Sequence, residues 1–384
     1  MRPAKRVGSL PPYMFAELDR KLGEKRAAGI DVISLGIGDP DSPTPRHIVE
    51  ALQEAAEDPA THRYPSYYGL PALREAIAGW MRTRFSVELD PDTEVQPLIG
   101  SKEGIAHLPV AALDPGDEVL VPDPGYPVFG IGTLLAGGVP LSMPLRAEDR
   151  FLPDLSSARV SRTTRMMWLN YPSNPTAAVA DLGFFEDAVS FAREHDVLIA
   201  HDAAYSELTY DGFVAPSVLQ VAGAKDVTVE FGSLSKTYNM TGWRVGWVAG
   251  NADVVRALAT VKTNIDSGIF DAIQRAAIVA LTGPQDTVDE LRAVYQKRRD
   301  LVVGTLNTLG WDLEPPRGSI YLWLPTKDGM SSAAFCELLL EQARVVLSPG
   351  SGYGAGGEGW ARISLTVPDD RLAEAMDRIR EALA

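Results

Sequence analysis

The sequence predicts an α/β protein: a large domain with a mostly parallel sheet flanked by helices, plus a smaller α+β domain. Three observations carry this. Between residues 95 and 264, short β-branched runs alternate with helix-length amphipathic stretches, as βαβ units require. DPGDEVLVPDPGY and NYPSNPT sit as loop punctuation beside such runs rather than as linkers. Beyond Thr282, Gly283 and Pro284 the alternation stops, and a long helical pattern leads into mixed strands and helices.

In chain order, strands are expected at 95–99, 118–121, 165–170, 197–201, 227–231 and 244–249, with helices at 103–113, 128–136, 182–195 and 252–264. The helix after Pro284 carries Asp286, Asp289 and Glu290 early and Lys297, Arg298 and Arg299 late, a charge order that suits the helix dipole. Strand-like SIYLWLP, a helix at 331–343, VVL, ARISL and a closing helix at 369–383 complete the smaller unit. The first forty-odd residues lack a core of their own. The expected division is a large domain at 45–283, with 1–44 and 284–384 forming the smaller one.

The 384 residues are 45% hydrophobic and 23% charged, enough apolar mass for a substantial core. Lys and Arg number 36 against 51 Asp and Glu, a net charge of −15. That sign argues against nucleic-acid or anionic-membrane partners. No uninterrupted run of eighteen apolar residues occurs, and no apolar stretch follows the basic N-terminus, so neither a membrane span nor a secretory signal is expected. A cytoplasmic location is expected. The one cysteine, Cys336, reads as a small core hydrophobe.

The chemistry concentrates in four stretches. FGSLSKTYNMTGWRVGW (231–247) has only Lys236 and Arg244 as charges, with Ser233, Ser235 and Thr237 around the lysine. A lone lysine is ordinarily a solvated surface charge. One set among hydroxyls and aromatics in an apolar stretch loses its proton readily and becomes a nucleophile. HDAAYSEL puts Asp202 at the carboxyl end of a strand, where α/β ligands bind, or simply in a turn. NYPSNPT offers Asn174, in itself also a turn residue. IGSKEGIAHL offers Gly100 and Ser101 at a helix start, suited to a phosphate or, equally, to a helix capped by Ser101.

Taken in order, Gly100–Ser101, Tyr126, Asn174, Asp202 with Tyr205, Lys236 and Arg244 resemble the fold-type I pyridoxal-phosphate enzymes, in particular the class I/II aminotransferases. The resemblance runs from SLGIGDPDSPTP to ARISL. It implies pyridoxal 5'-phosphate held as a Schiff base on Lys236, which then shuttles the substrate proton. It further implies that Asp202 pairs with the pyridine nitrogen and that Asn174 and Tyr205 donate to the ring oxygen. Tyr126 would stack on the ring, while Gly100, Ser101, the Lys102 backbone, Ser233, Ser235 and Arg244 hold the phosphate. Tyr64 matches a tyrosine that reaches the neighbouring subunit's phosphate, which implies a homodimer with shared sites. Arg362 matches the clamp for the substrate carboxylate, and Gly38 a glycine lying against the substrate. No metal is implied. Ala177 and Tyr353 depart from the family, which has glycine and often phenylalanine there.

IGSKEGIAHLP, DPGYPVF and VKTNIDSGIFDAIQRAA are most similar to the bacterial LL-diaminopimelate aminotransferases. These exchange an amino group between LL-diaminopimelate and 2-oxoglutarate. Aspartate, alanine or broad-specificity aminotransferases share the stretches, and a carbon–sulfur β-lyase would share every cofactor residue. A non-catalytic descendant is opposed by the intact Lys236, Asp202 and Arg362. Tyr13, Tyr67 and Tyr321 are candidates for a substrate pocket or for core aromatics.

Overall fold

A computed structural model describes every residue except 1, 3, 9, 12, 13 and 384. In chain order the strands are β1 (Ile33–Ser34), β2 (Val95–Leu98), β3 (Glu118–Asp123), β4 (Val139–Pro144), β5 (Thr164–Asn170) and β6 (Leu198–Asp202). They continue with β7 (Thr228–Ser233), β8 (Gly246–Gly250), β9 (Tyr321–Pro325), β10 (Val345–Val346), β11 (Ser348–Pro349) and β12 (Trp360–Ser364).

Seven strands form the large sheet in the order β2-β8-β7-β6-β5-β3-β4. Only β8 runs against the rest, antiparallel to both β2 and β7. The expected mostly parallel sheet is present, with one strand more than the pattern showed. β4 escapes periodicity because it is an edge strand with Pro140 and Pro144, largely exposed, so alternation of burial never develops. Strands β5, β6 and β7 are buried nearly end to end, the continuous apolar reading expected of a sheet covered on both faces.

Helices seal both faces. On one, Leu182–His195 begins at Asp181, whose carboxylate accepts from Phe184 N–H, and buries Phe185, Ala188, Val189 and Ala192. On the other, Trp168 stacks on Phe129 at 4.7 Å and tilts against Phe231 at 5.9 Å. Truncating the fully buried Trp168 would cost about 3–5 kcal/mol.

A second core packs around an antiparallel three-stranded sheet, β11-β12-β9, and the parallel pair β1–β10. Its hydrophobic residues include Tyr295, Phe335, Ile363 and Leu372. The helix Asp286–Thr308 crosses it. Here the dipole reading is corrected: the helix runs on to Thr308, so its three bases lie mid-helix rather than in its last turn. Arg298 bonds Asp41 at 2.7 and 2.9 Å and Asp369 at 2.8 Å, tying the N-terminal segment to the closing helix Asp369–Leu383. Arg299 pairs with Asp211 and Asp300. Among the described residues, no helix is long and apolar enough to cross a membrane, and no group of His, Cys, Asp and Glu is arranged to hold a metal.

Candidate active site

Each chemical stretch ends at the same edge. Asn170, Asp202 and Ser233 are the last residues of the adjacent parallel strands β5, β6 and β7, and Asn170 is in register with Asp202. The single-turn helix Leu234–Thr237 then carries Lys236. Ser233 caps it, its Oγ accepting from Ser235 N–H at 3.2 Å. A cavity of about 410 Å³ opens there, lined by Asp202, Tyr205, Lys236, Arg244 and Arg362. Gly38, Asn174, Ser233 and Ser235 also reach it, as do Ser101, Lys102 and Tyr126. A larger cavity, about 920 Å³, lies among Trp80, Arg84, Glu207 and Arg292, and no predicted site residue lines it. Its floor is closed electrostatically: Glu207 takes Arg84 at 2.8 Å and Arg292 at 2.7 Å.

Lys236 Nζ donates to the Gly38 carbonyl oxygen at 2.7 Å. Burial pushes its pKa down to about 8; Asp39 opposes the shift, while Arg362 and Arg244 add to it. Asp202 moves the other way. Burial pushes it up to about 6, against His201 and the Ala204 N–H that bonds it. An ammonium and a carboxyl are thus both brought closer to neutral pH, as acid–base work needs.

Arg362 is 1% exposed, against the exposed strand position an isolated arginine would occupy. It donates to Asn174 Oδ1 and to the Gly36 carbonyl, both at 2.7 Å. Its guanidinium lies 4.0 Å from the Tyr321 ring centroid and 5.0 Å from that of Tyr353. The tyrosine at position 353 therefore touches the arginine rather than lying apart from the chemistry. Tyr205 and Tyr321 hydroxyls are 3.0 Å apart, and burial, reinforced by Tyr321, holds the Tyr205 phenol well above its usual range.

At the opposite corner the helix Ser101–Ala112 begins. Gly100, not Ser101, is its N-cap, and no side chain caps the first-turn N–H groups. Gly100 has φ +75°, and a Cβ on it would lie 2.2 Å from Arg244 Nη2. A Cβ on Gly246 would meet Ser101 N at 2.6 Å. Arg244 itself is held at φ +58°, a conformation costly for a side chain, with Nη1 donating to Thr241 O at 2.7 Å. Glycine at two positions lets a guanidinium and a helix N-terminus converge, which makes an anion-binding corner.

Two predicted residues do not line the cavity: Gly100, which lies behind it against Arg244, and Tyr64. Tyr64 is 87% exposed and does not line the cavity. Of the three candidate pocket aromatics, Tyr321 lines the cavity, Tyr67 is about half exposed and does not, and Tyr13 lies outside the described residues. Asp39 and Thr241 also line it and were not singled out, although each sits inside a stretch that was.

The profile describing aminotransferase class I and II matches residues 30–379. The chain belongs to that family. This aminotransferase is 57% identical to the LL-diaminopimelate aminotransferase of Desulforudis audaxviator, over 99% of this chain and 97% of that one. Identity to the Moorella thermoacetica enzyme of the same name is 55%, over 100% and 99%. Among solved structures, substrate-bound BacF from Bacillus subtilis superposes with a TM-score of 0.94 at 37% identity, covering 99% and 97%. The aminotransferase is therefore an enzyme with the fold-type I α/β architecture that its sequence pattern implied.

Proposed function

We propose that this aminotransferase binds pyridoxal 5'-phosphate and moves an amino group between LL-diaminopimelate and 2-oxoglutarate. The observation that carries the reading is the convergence of Lys236, Asp202, Arg244 and Arg362 on one cavity. The names of its relatives at 57% and 55% identity carry the choice of substrate.

The cavity fits the cofactor. The glycine-lined corner of Ser101, Lys102, Ser233, Ser235 and Arg244 suits its phosphate, and Asp202 suits a protonated ring nitrogen. Asn174 and Tyr205 would hold the ring oxygen, Tyr126 the ring face, and Lys236 would be the covalent anchor. When bound, the cofactor supplies an electron sink.

The remaining work belongs to the chain. Arg362 captures the substrate α-carboxylate as a planar two-pronged donor. Lys236, uncharged above its lowered pKa of about 8, takes the proton from the substrate α-carbon and returns it elsewhere. Gly38 leaves room for the substrate backbone. The oxo-acid half-reaction reverses these roles, giving ping-pong order. Tyr64, projecting from the surface, fits completion of a second subunit's site in a homodimer. A cytoplasmic location accords with a biosynthetic role.

Single-turnover absorbance of the loaded enzyme tests this. LL-diaminopimelate and glutamate should bleach it quickly, with aspartate and alanine sluggish. Fast bleaching by aspartate or alanine, with diaminopimelate inert, would discard the substrate and keep the site. Pyruvate and ammonia released without an oxo acid would reveal a β-lyase.

A further inference from the structure

β6 and β7 are parallel neighbours with His201 directly opposite Glu230 and Asp202 opposite Phe231. Alternation along a strand sends His201 and Asp202 to opposite faces. His201 and Glu230 therefore share the face covered by the helix Leu182–His195 and the turn at Ser217. Both are buried, His201 completely.

Both ring nitrogens of His201 have a hydrogen-bond partner. His201 Nε2 lies 3.2 Å from the Tyr171 carbonyl oxygen, which can only accept, so Nε2 carries hydrogen. Nδ1 lies 2.9 Å from Glu230 Oε2. Were the imidazole neutral, its Nδ1 lone pair would face a carboxylate oxygen, so a further proton sits between them. Free imidazole is more basic than a free glutamate by about two pH units. Glu230 also accepts from Ser217 Oγ at 2.8 Å and from Val218 N–H at 3.1 Å.

The Phe185 ring packs on the imidazole at 4.9 Å, and the buried face of its helix is otherwise Ala188, Val189 and Ala192. Tyr171 donates its hydroxyl to Phe151 O, and burial holds it protonated. The other titratable neighbour is Asp202 itself, the next residue on the strand.

We propose that His201 and Glu230 are positioning residues: a buried imidazolium–carboxylate pair whose cationic end keeps the adjacent Asp202 carboxyl ionised against burial. The inference rests on the reading of Asp202 as partner of the cofactor nitrogen. It adds a layer of machinery beneath the cavity, set by strand register. His201 is the foremost effect opposing the rise in the Asp202 pKa.

The first test needs no cofactor and no variant. Side-chain nitrogen NMR of the histidine-labelled apoenzyme should find both His201 ring nitrogens protonated at neutral pH; one bare nitrogen overturns the inference. The second uses Glu230→Gln, which keeps the shape, still accepts from Ser217 Oγ and donates to Nδ1, so the ring turns neutral, while Val218 N–H, which shares Oε2 with His201, loses its acceptor. Its melting temperature should fall by no more than the loss of one buried hydrogen bond accounts for. The pH midpoints of cofactor affinity and of the bound cofactor's absorption should rise by about one unit, a tenfold loss of affinity below the midpoint. A folded Glu230→Gln protein with unchanged midpoints overturns the inference, and if the variant does not fold, the NMR result decides. Asp202→Asn is the control. Wild-type cofactor affinity in that variant refutes the Asp202 role itself, while the His201 proton count is read independently.

Discussion

Arg362 Nη1 donates to Asn174 Oδ1 at 2.7 Å, joining β12 to the turn that follows β5. The bond orients both partners at once. It aims the guanidinium, and because the amide oxygen is occupied, it leaves the amide N–H groups of Asn174 as donors.

Asn174→Ala should therefore weaken amino-acid capture as well as cofactor binding, raising KM about 5–100-fold. Arg362→Ala should act mainly on KM too. A double-mutant cycle checks the bond, and strictly additive effects would show that the two residues act independently.

Lys236→Ala should reduce transamination by at least a thousandfold, on the order of a lost general base and anchor. In the apoenzyme, the rate at which an amine-directed reagent labels Lys236 should rise through pH about 8, where burial has brought its pKa. A rise only near the ordinary lysine value of 10.5 would contradict that electrostatic environment.

Asp202 makes a prediction about stability. Burial raises its pKa from 3.8 to about 6, so between these values the folded chain holds a proton that the unfolded chain has lost. The penalty is absent below pH 3.8, grows through this window and is complete above about 6. Asp202→Asn should thus stabilise the apoenzyme at pH 8 by about 1–3 kcal/mol while impairing cofactor binding. The gain should shrink as melts are repeated toward pH 5.

Gly38 sits against Tyr321: an added Cβ would come within 2.0 Å of its hydroxyl and 2.7 Å of ring atoms Cε1 and Cζ. Gly38→Ala should displace Tyr321 from Tyr205 and lower kcat/KM at least about tenfold. Removing the hydroxyl alone, in Gly38→Ala with Tyr321→Phe, should not rescue activity because the ring still clashes. Full rescue would place the conflict elsewhere.

Ala177 occupies a left-handed conformation, φ +57°, a region that favours glycine. Relief of that strain outweighs the extra freedom of an unfolded glycine. Ala177→Gly should raise stability by up to about 1 kcal/mol with activity unchanged, measured by denaturant melts.

Much of this was legible in the sequence. The strand–helix rhythm gave six of the seven large-sheet strands, and the order of motifs brought Asp202, Lys236 and Arg244 into one cavity. What escaped did so for identifiable reasons. β1 and β10 are two-residue strands, too short for any period to register. The Gly36 and Gly38 carbonyls act through the backbone, which residue type does not advertise. His201 and Glu230 lie 29 positions apart and meet only through the register of β6 and β7. Arg362 gave no local signal of burial, because β12 becomes interior only once both sheets are assembled.

The carbonyl oxygens of residues 36, 37 and 38 form a continuous rack. Arg362 and Ser348 bond the first, Thr366 the second and Lys236 the third. The proposed carboxylate clamp and the proposed proton carrier thus hang from carbonyls two residues apart on one backbone segment, which β1 extends into the pairing with β10. On the proposed roles, substrate held by Arg362 would bear on the same segment that restrains Lys236. By thermodynamic reciprocity, whatever factor carboxylate binding contributes to freeing the lysine, a freed lysine returns to carboxylate binding. On the proposed roles, the rack is the shared element through which capture and proton transfer would be coupled.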